Sequence, residues 1–191
     1  MTYINHAKHR AEGGYILIAS LLMLLVLTLL AVGMYHSFTE QEFMASNTKE
    51  KARAFQMAQS TLTYGEYLLE TDTNGSEIQQ SSSCTQTLTV VTICNNPVDI
   101  VAPTATAAMK IVNGMTYTTM TDDPTISATG GSSSSYYNYP QVYLRYLGVS
   151  SDGLGQVYQV TALAYGGNSN AVAVVQSTYE LSTNTKNLGG L

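Results

Sequence analysis

The chain begins with a polar stretch and changes abruptly at Gly13-Gly14-Tyr15 into an apolar run. From Tyr15 to Phe38 there is no Asp, Glu, Lys or Arg. A helix of about 20 apolar residues crosses a bilayer core, so residues 15–34 are predicted to span a membrane. Ser20, Thr28 and Gly33 interrupt the run, and small or hydroxyl residues suit helix–helix contact in lipid. The polar sequence that follows keeps a helical period to about Glu70, with no proline in the way. Ala52, Phe55, Ala58, Leu62 and Leu69 recur at spacings of three, four and seven. That is the apolar stripe of a helix lying on a core. Residues 35–70 are therefore predicted to continue the first helix as its amphipathic half. Glu42, Lys49, Glu50, Lys51, Arg53 and Glu66 would occupy its other faces. Thr71-Asp72-Thr73-Asn74-Gly75 supplies turn chemistry to end it.

The period then changes. Residues 76–106 are rich in Ser, Thr and Gln. Leu88, Val90 and Val91 suggest a short strand, while Pro97 and Pro103 argue against long regular structure. A further strand is expected within Lys110–Met120, and a flexible linker or loop tip from Gly130 to Ser135. Three stronger strands follow. Gln141–Val149 alternates Val142, Leu144 and Tyr146 against Tyr143, Arg145 and Leu147. Gln156–Tyr165 and Ala171–Leu181 flank Gly166-Gly167-Asn168-Ser169-Asn170, a hairpin signal. These elements predict an α+β chain, with one long N-terminal helix laid across a C-terminal antiparallel sheet. The sheet would cover the stripe around Phe55 and Leu62. The expected divisions are a leader at 1–14, a membrane half-helix at 15–34, an amphipathic half-helix at 35–70 and a β-rich head at 71–191.

Charge fixes direction and excludes one class of partner. Only 11% of residues are charged and the net charge is −5. Lys8 and Arg10 precede the apolar run, and the first charges after it are Glu40 and Glu42. Positive residues stay in the cytoplasm, so the N-terminus should face in and the head out. Beyond Arg53 the only cations are Lys110, Arg145 and Lys186. Nucleic acid binding needs clustered Lys and Arg, so no nucleic acid partner is expected.

Cys84 and Cys94 would then lie on the oxidising side of the membrane, where an isolated close pair reads as a disulfide. The rival reading, a metal or redox site, would need CxxC spacing or a histidine beyond His36, and has neither. Catalysis finds little support. The histidines are His6, His9 and His36, all in the leader or at the membrane boundary, so no triad or histidine general base is expected outside. Zinc lacks ligands, and no metal or cofactor is expected. Asp122-Asp123 and Asp152-Gly153 read as turns rather than calcium ligand sets. Tyr136, Tyr137 and Tyr139 gather beside the serine run with Tyr143 and Tyr146. Tyrosine is common at interfaces, so the first three are candidate partner contacts, with packing on the sheet as the competing role.

These features together resemble the type IV pilin family, and within it the PilX-type minor pilins. The residues that carry the likeness are Leu24-Leu25-Val26-Leu27-Thr28-Leu29-Leu30, Gln41-Glu42-Phe43-Met44-Ala45-Ser46-Asn47 and Ala54-Phe55-Gln56-Met57-Ala58-Gln59. The last strand, ending Val175-Gln176-Ser177-Thr178-Tyr179, is a looser match. The resemblance implies a prepilin peptidase that cuts between Gly14 and Tyr15 and methylates the new amine of Tyr15. It implies assembly through Ala19, Gln41, Glu42, Asn47 and Phe55. The implied partners are major pilin, other minor pilins and a tip adhesin. The chain would sit in the inner membrane by a single pass before assembly, and at the pilus tip after it. Major pilins carry Glu at the fifth mature position, where Ala19 stands here. That Glu is held to pair with the N-terminal amine of a neighbour already in the filament, so a subunit lacking it fits the growing tip, where it starts or caps the pilus. Two other readings stand beside this one. One is a type II secretion pseudopilin. The other is a secreted or anchored binding domain cut by signal peptidase I after Gly33.

Overall fold

The computed structural model describes residues 13–71, 79–80, 83–120, 126–132 and 134–182. Residues 1–12 of the predicted leader, the turn residues Asp72–Gly75 and Asp122-Asp123 lie outside the described residues, while Gly13 and Gly14 already belong to the first helix. A single helix, α1, runs Gly13–Thr71. The chain divides into two compact units, Met1–Ser46 and Asn47–Leu191, which are described separately.

In the first unit α1 is an apolar rod with no cover. Its most apolar 18-residue window has a mean hydropathy of 2.9 and none of it is buried. A core helix of a soluble protein would be mostly buried. Ser20 donates its hydroxyl to the Leu17 carbonyl and Thr28 donates to that of Leu25. Both polar groups are thus satisfied within the helix, which lipid demands.

In the second unit the remainder of α1 packs on a sheet. The other elements are β1 (Gln79–Gln80), β2 (Thr92–Cys94), β3 (Ile100–Val101), β4 (Lys110–Ile111), β5 (Met115–Thr116), α2 (Tyr117–Met120), β6 (Gln141–Val149), β7 (Gly155–Tyr165) and β8 (Val172–Ser182). The main sheet has the order β1-β2-β6-β7-β8, with β5 also on β6. β6, β7 and β8 are antiparallel neighbours, as the sequence implies. The sheet is nevertheless mixed, because β1 and β2 run parallel to their partners. Parallel pairing needs a long crossover between the strands, and none is legible in the Ser/Thr-rich sequence before β6. β2 also starts later than expected, at Thr92 rather than around Leu88. The segment Lys110–Met120 holds two short strands and one helical turn, because the chain reverses at Asn113, whose φ is 56°.

Both faces of the sheet are covered. β7 lies between β6 and β8, and Val160–Tyr165 is buried throughout, as expected of a strand with both sides packed. One face presents Val142, Leu144, Tyr158 and Val160 to Leu62, Leu68 and Leu69 of α1. The opposite face presents Tyr143, Leu163 and Tyr165 to Ile111 and to Cys84 and Cys94. Those cysteines form a disulfide, with Cα atoms 5.5 Å apart.

The helix meets the sheet through small residues. Ala54, Ala58, Thr61, Gly65 and Leu69 are the buried positions of this half of α1. Phe55 is 48% exposed, and Ala52 is exposed too, which corrects the expected stripe. Two phases of a 3.6-residue period fit this sequence. Packing selects the one with less side-chain bulk, because a helix comes close to a sheet only where side chains are short. At Gly65 an added Cβ would lie 2.9 Å from a Val160 methyl and 3.0 Å from a Val142 methyl.

Gly65→Leu should therefore destabilise the second unit. Overpacking of this kind costs about 1–3 kcal/mol, which moves a domain of this size down by several degrees. Gly65→Ala should cost less, since the better helix former returns up to about 1 kcal/mol. Thermal unfolding of the detergent-solubilised chain, followed by near-ultraviolet circular dichroism, checks both.

Candidate functional site

The chemistry of this chain lies in what α1 exposes and in how its second half is held. Tyr15 is 77% exposed, and Ile16, Leu17, Leu24 and Leu29 are all more than 60% exposed. Fully burying one such side chain is worth about 1.5–3 kcal/mol. A row of them cannot stay in water. Lipid or other apolar helices must take it up. Gly14 and Ala19 lie on the exposed helix in this unit, as do Gln41 and Glu42. Gln41 donates weakly to the Ser37 hydroxyl, at 3.4 Å.

In the second unit Asn47 is exposed and Phe55 projects from α1 away from the sheet. A shallow groove runs along the same helix between Gln56, Gln59, Ser60, Thr63, Tyr64 and Tyr67. Tyr67 is 54% exposed, and its ring centroid lies 6.2 Å from that of Tyr64. This half of α1 thus presents aromatic rings among amide and hydroxyl groups, the composition of a protein-contact surface.

Four charged residues assigned by sequence to the outer faces, Glu50, Lys51, Arg53 and Glu66, instead hold the helix to the head. Glu50 and Arg53 stand one turn apart, with both carboxylate oxygens 3.0 Å from Arg53 Nη1. The Glu50 carboxylate also accepts the Gly167 backbone N–H in the β7–β8 turn. Arg53 donates to the carbonyls of Ser132 and Ser135, each at 3.2 Å, and lies 5.0 Å over the Tyr136 ring. Further along, the Glu66 carboxylate accepts the Ser177 hydroxyl of β8. Gly167 is required at its position, because a Cβ there would run into the Ser132 carbonyl and Glu50. The serine-rich loop expected to be a flexible tip is thereby tied to α1. One signal for this stands in the sequence: Glu50 and Arg53 share a side with Ala54, the first small residue of the buried row.

The tyrosine cluster divides. Tyr137 packs in the core beneath the sheet, 5.6 Å from Tyr165. Tyr136 lies under Arg53, and Tyr139 is half-buried. Tyr143 is buried and donates to the Asn96 carbonyl at 3.2 Å. Burial pushes the phenols of Tyr143, Tyr158 and Tyr165 up, so they remain neutral donors. Asp152 accepts the Leu154 N–H at 2.9 Å and closes a turn with Gly153 at φ 71°. Among the described residues no group of three or more His, Cys, Asp or Glu could hold a metal ion.

Two family models match the chain along most of its length. PilX N-terminal matches residues 12–63, and type IV pilus assembly protein PilX C-term matches residues 64–181. No curated protein and no solved structure matches it.

The Gly167 N–H, followed by Arg53, holds the Glu50 carboxyl below its ordinary value of 4.5. A depressed carboxyl pKa stabilises the folded state above the ordinary value, and that contribution is lost as pH falls through the folded value. The tie between α1 and the β7–β8 turn should therefore hold at pH 5 and above and loosen in acid below about 4.5. Hydrogen exchange at the Gly167 amide should accelerate there beyond the intrinsic pH dependence. Glu50→Gln should lower the melting temperature at pH 7 and remove most of this acid sensitivity.

Proposed function

The chain belongs to the PilX family of type IV pilus assembly proteins, a structural component of the pilus, and from that membership we propose that it is a minor pilin that starts or caps the filament. The observation that carries the proposal is the uncovered apolar rod of α1 with Ala19 at the fifth position after Gly14. Apolar helices that leave a bilayer side by side remain buried in one another, so assembly needs no new hydrophobic surface. A carboxylate within a span is costly and is kept only for a partner. A subunit with Ala19 makes no such contact with the amine of a neighbour below it, which suits the first subunit in a filament better than a repeating one.

On this reading the chain is a substrate of prepilin peptidase and not itself a catalyst. Gly14 is the small residue at the cut, and Tyr15 becomes the methylated N-terminus. Before assembly the rod crosses the inner membrane with its N-terminus inside. Afterwards the second unit stands on the pilus surface at the tip, where Asn47, Phe55 and the groove at Tyr64 and Tyr67 meet major pilin, other minor pilins or an adhesin. Tyr136 and Tyr139 remain candidate contacts. Tyr137 is a poor one to test by substitution, because it also supports the core.

Mass spectrometry of the mature protein should find methylated Tyr15 at the N-terminus. A chain beginning at Met34 would indicate secretion, and an intact Met1 would indicate a plain anchor; either would overturn the pilin reading. Removing the protein should reduce surface pili several-fold, with full recovery on complementation. Ala19→Glu should change pilus number or length, as counted by electron microscopy, and unchanged assembly would remove the tip argument.

A further inference from the structure

β8 is the outer strand of the sheet, and among the described residues its long outward edge pairs with no further strand. It pairs with β7 in continuous register from Gly155↔Ser182 to Tyr165↔Val172, without a bulge. The Gly166 N–H donates to the Ala171 carbonyl, which fixes the alternation of the ladder. Residues 173, 175, 177, 179 and 181 turn their backbone groups toward β7. Val172, Val174, Gln176, Thr178 and Glu180 turn theirs outward. Among the described residues no strand meets that edge. Natural proteins blunt such edges with proline, lysine or a bulge. β8 has none of these.

We propose that this edge receives an extended segment of another pilus component, which adds to the sheet as a further strand; the proposal rests on the chain being a pilus subunit. The flanking side chains state what the segment must be. On the helix-facing side, Ala173, Val175 and Tyr179 are only half-buried, and an added strand with alternate apolar residues would complete their cover. On the other side Val174, Gln176, Thr178 and Glu180 are exposed, and call for polar partners. Glu180 is the only formal charge on β8 and calls for a Lys or Arg opposite. β8 holds no cation of its own, so a second copy cannot supply one through the same strand. The edge also adjoins the exposed face of α1. Lys51, one turn from Phe55, donates to the outward carbonyl of Val172 at 3.0 Å. A subunit seated against Phe55 is thus beside the strand it would extend. Backbone pairing supplies the attraction in such additions and alternate side chains supply the selectivity.

The test uses the full chain in piliated cells, with the photoreactive residue benzoylphenylalanine placed at Thr178. Illumination should give an adduct with a different pilus protein, identified by mass spectrometry. Gln176→Pro removes an N–H that the ladder does not use, and should abolish the adduct. Val174→Lys keeps every ladder bond and should reduce it at least tenfold, so loss of fold in the proline variant would not decide the outcome. No adduct, an adduct only with a second copy, or an adduct unaffected by both substitutions would each overturn the proposal. The same samples report the N-terminal residue: methylated Tyr15 without an adduct sinks the edge alone, whereas an unprocessed chain sinks the pilin reading itself.

Discussion

The close seat of α1 on the sheet governs the rest of the second unit. A helix can approach a sheet closely only where its contact row is short. Here that row is Ala54, Ala58, Thr61 and Gly65, with a Val142 and a Val160 methyl filling the space that a side chain at 65 would take. Once this face is fixed, the helix has no further rotational freedom. Phe55 must point outward, Glu50 and Arg53 must meet the loops around Ser132 and Gly167, and Glu66 must meet β8. The polar ties follow from the packing. They decide which loops are anchored, while apolar contact decides which way the helix faces.

The first unit obeys a different constraint. Nothing in it is buried over the most apolar stretch, and its hydroxyls bond to their own helix. It is stable as a helix in a medium that offers no hydrogen bonds and unstable as a surface in water. The same property that holds such a helix in a bilayer holds it among like helices. On the proposed reading, membrane insertion and filament assembly draw on this one feature of the sequence.

Much of this architecture is legible in the amino-acid sequence. The uncharged run from Tyr15 to Phe38 and the helical period beyond it locate α1 to within about one residue at its C-terminal end. The pattern places β6 at its observed bounds, and β7 and β8 each within one residue, because their alternation and the Gly/Asn turn are local signals. What escapes it is non-local. The phase of the α1 stripe depends on sheet side chains far away in sequence, and Phe55 is a stronger hydrophobic cue than Ala54 or Gly65. The parallel pairing of β2 with β6 joins residues about fifty apart through Ile93↔Leu144, and three residues carry too little pattern to announce it. Glu50 and Arg53 look like solvated charges because their acceptors and donors are backbone groups of loops, which have no sequence identity to read.

The two cover arrangements of the sheet explain why its outer edge, and not its faces, is left for recognition. One face is closed by α1 and the other by the disulfide-bonded segment that leads to Ile111. On the proposed reading the subunit leaves a membrane and enters a filament, so it cannot spend its apolar faces on a transient partner, since exposing them in between would invite aggregation. Backbone donors and acceptors at an edge are different. Water satisfies them until a strand arrives, so they can wait exposed at little cost. β8 is suited to that waiting role because its inward side chains already pack against the helix-facing core, through Tyr179 and Leu181. Its conformation is therefore set before any partner binds, and an incoming segment would bear the ordering cost alone.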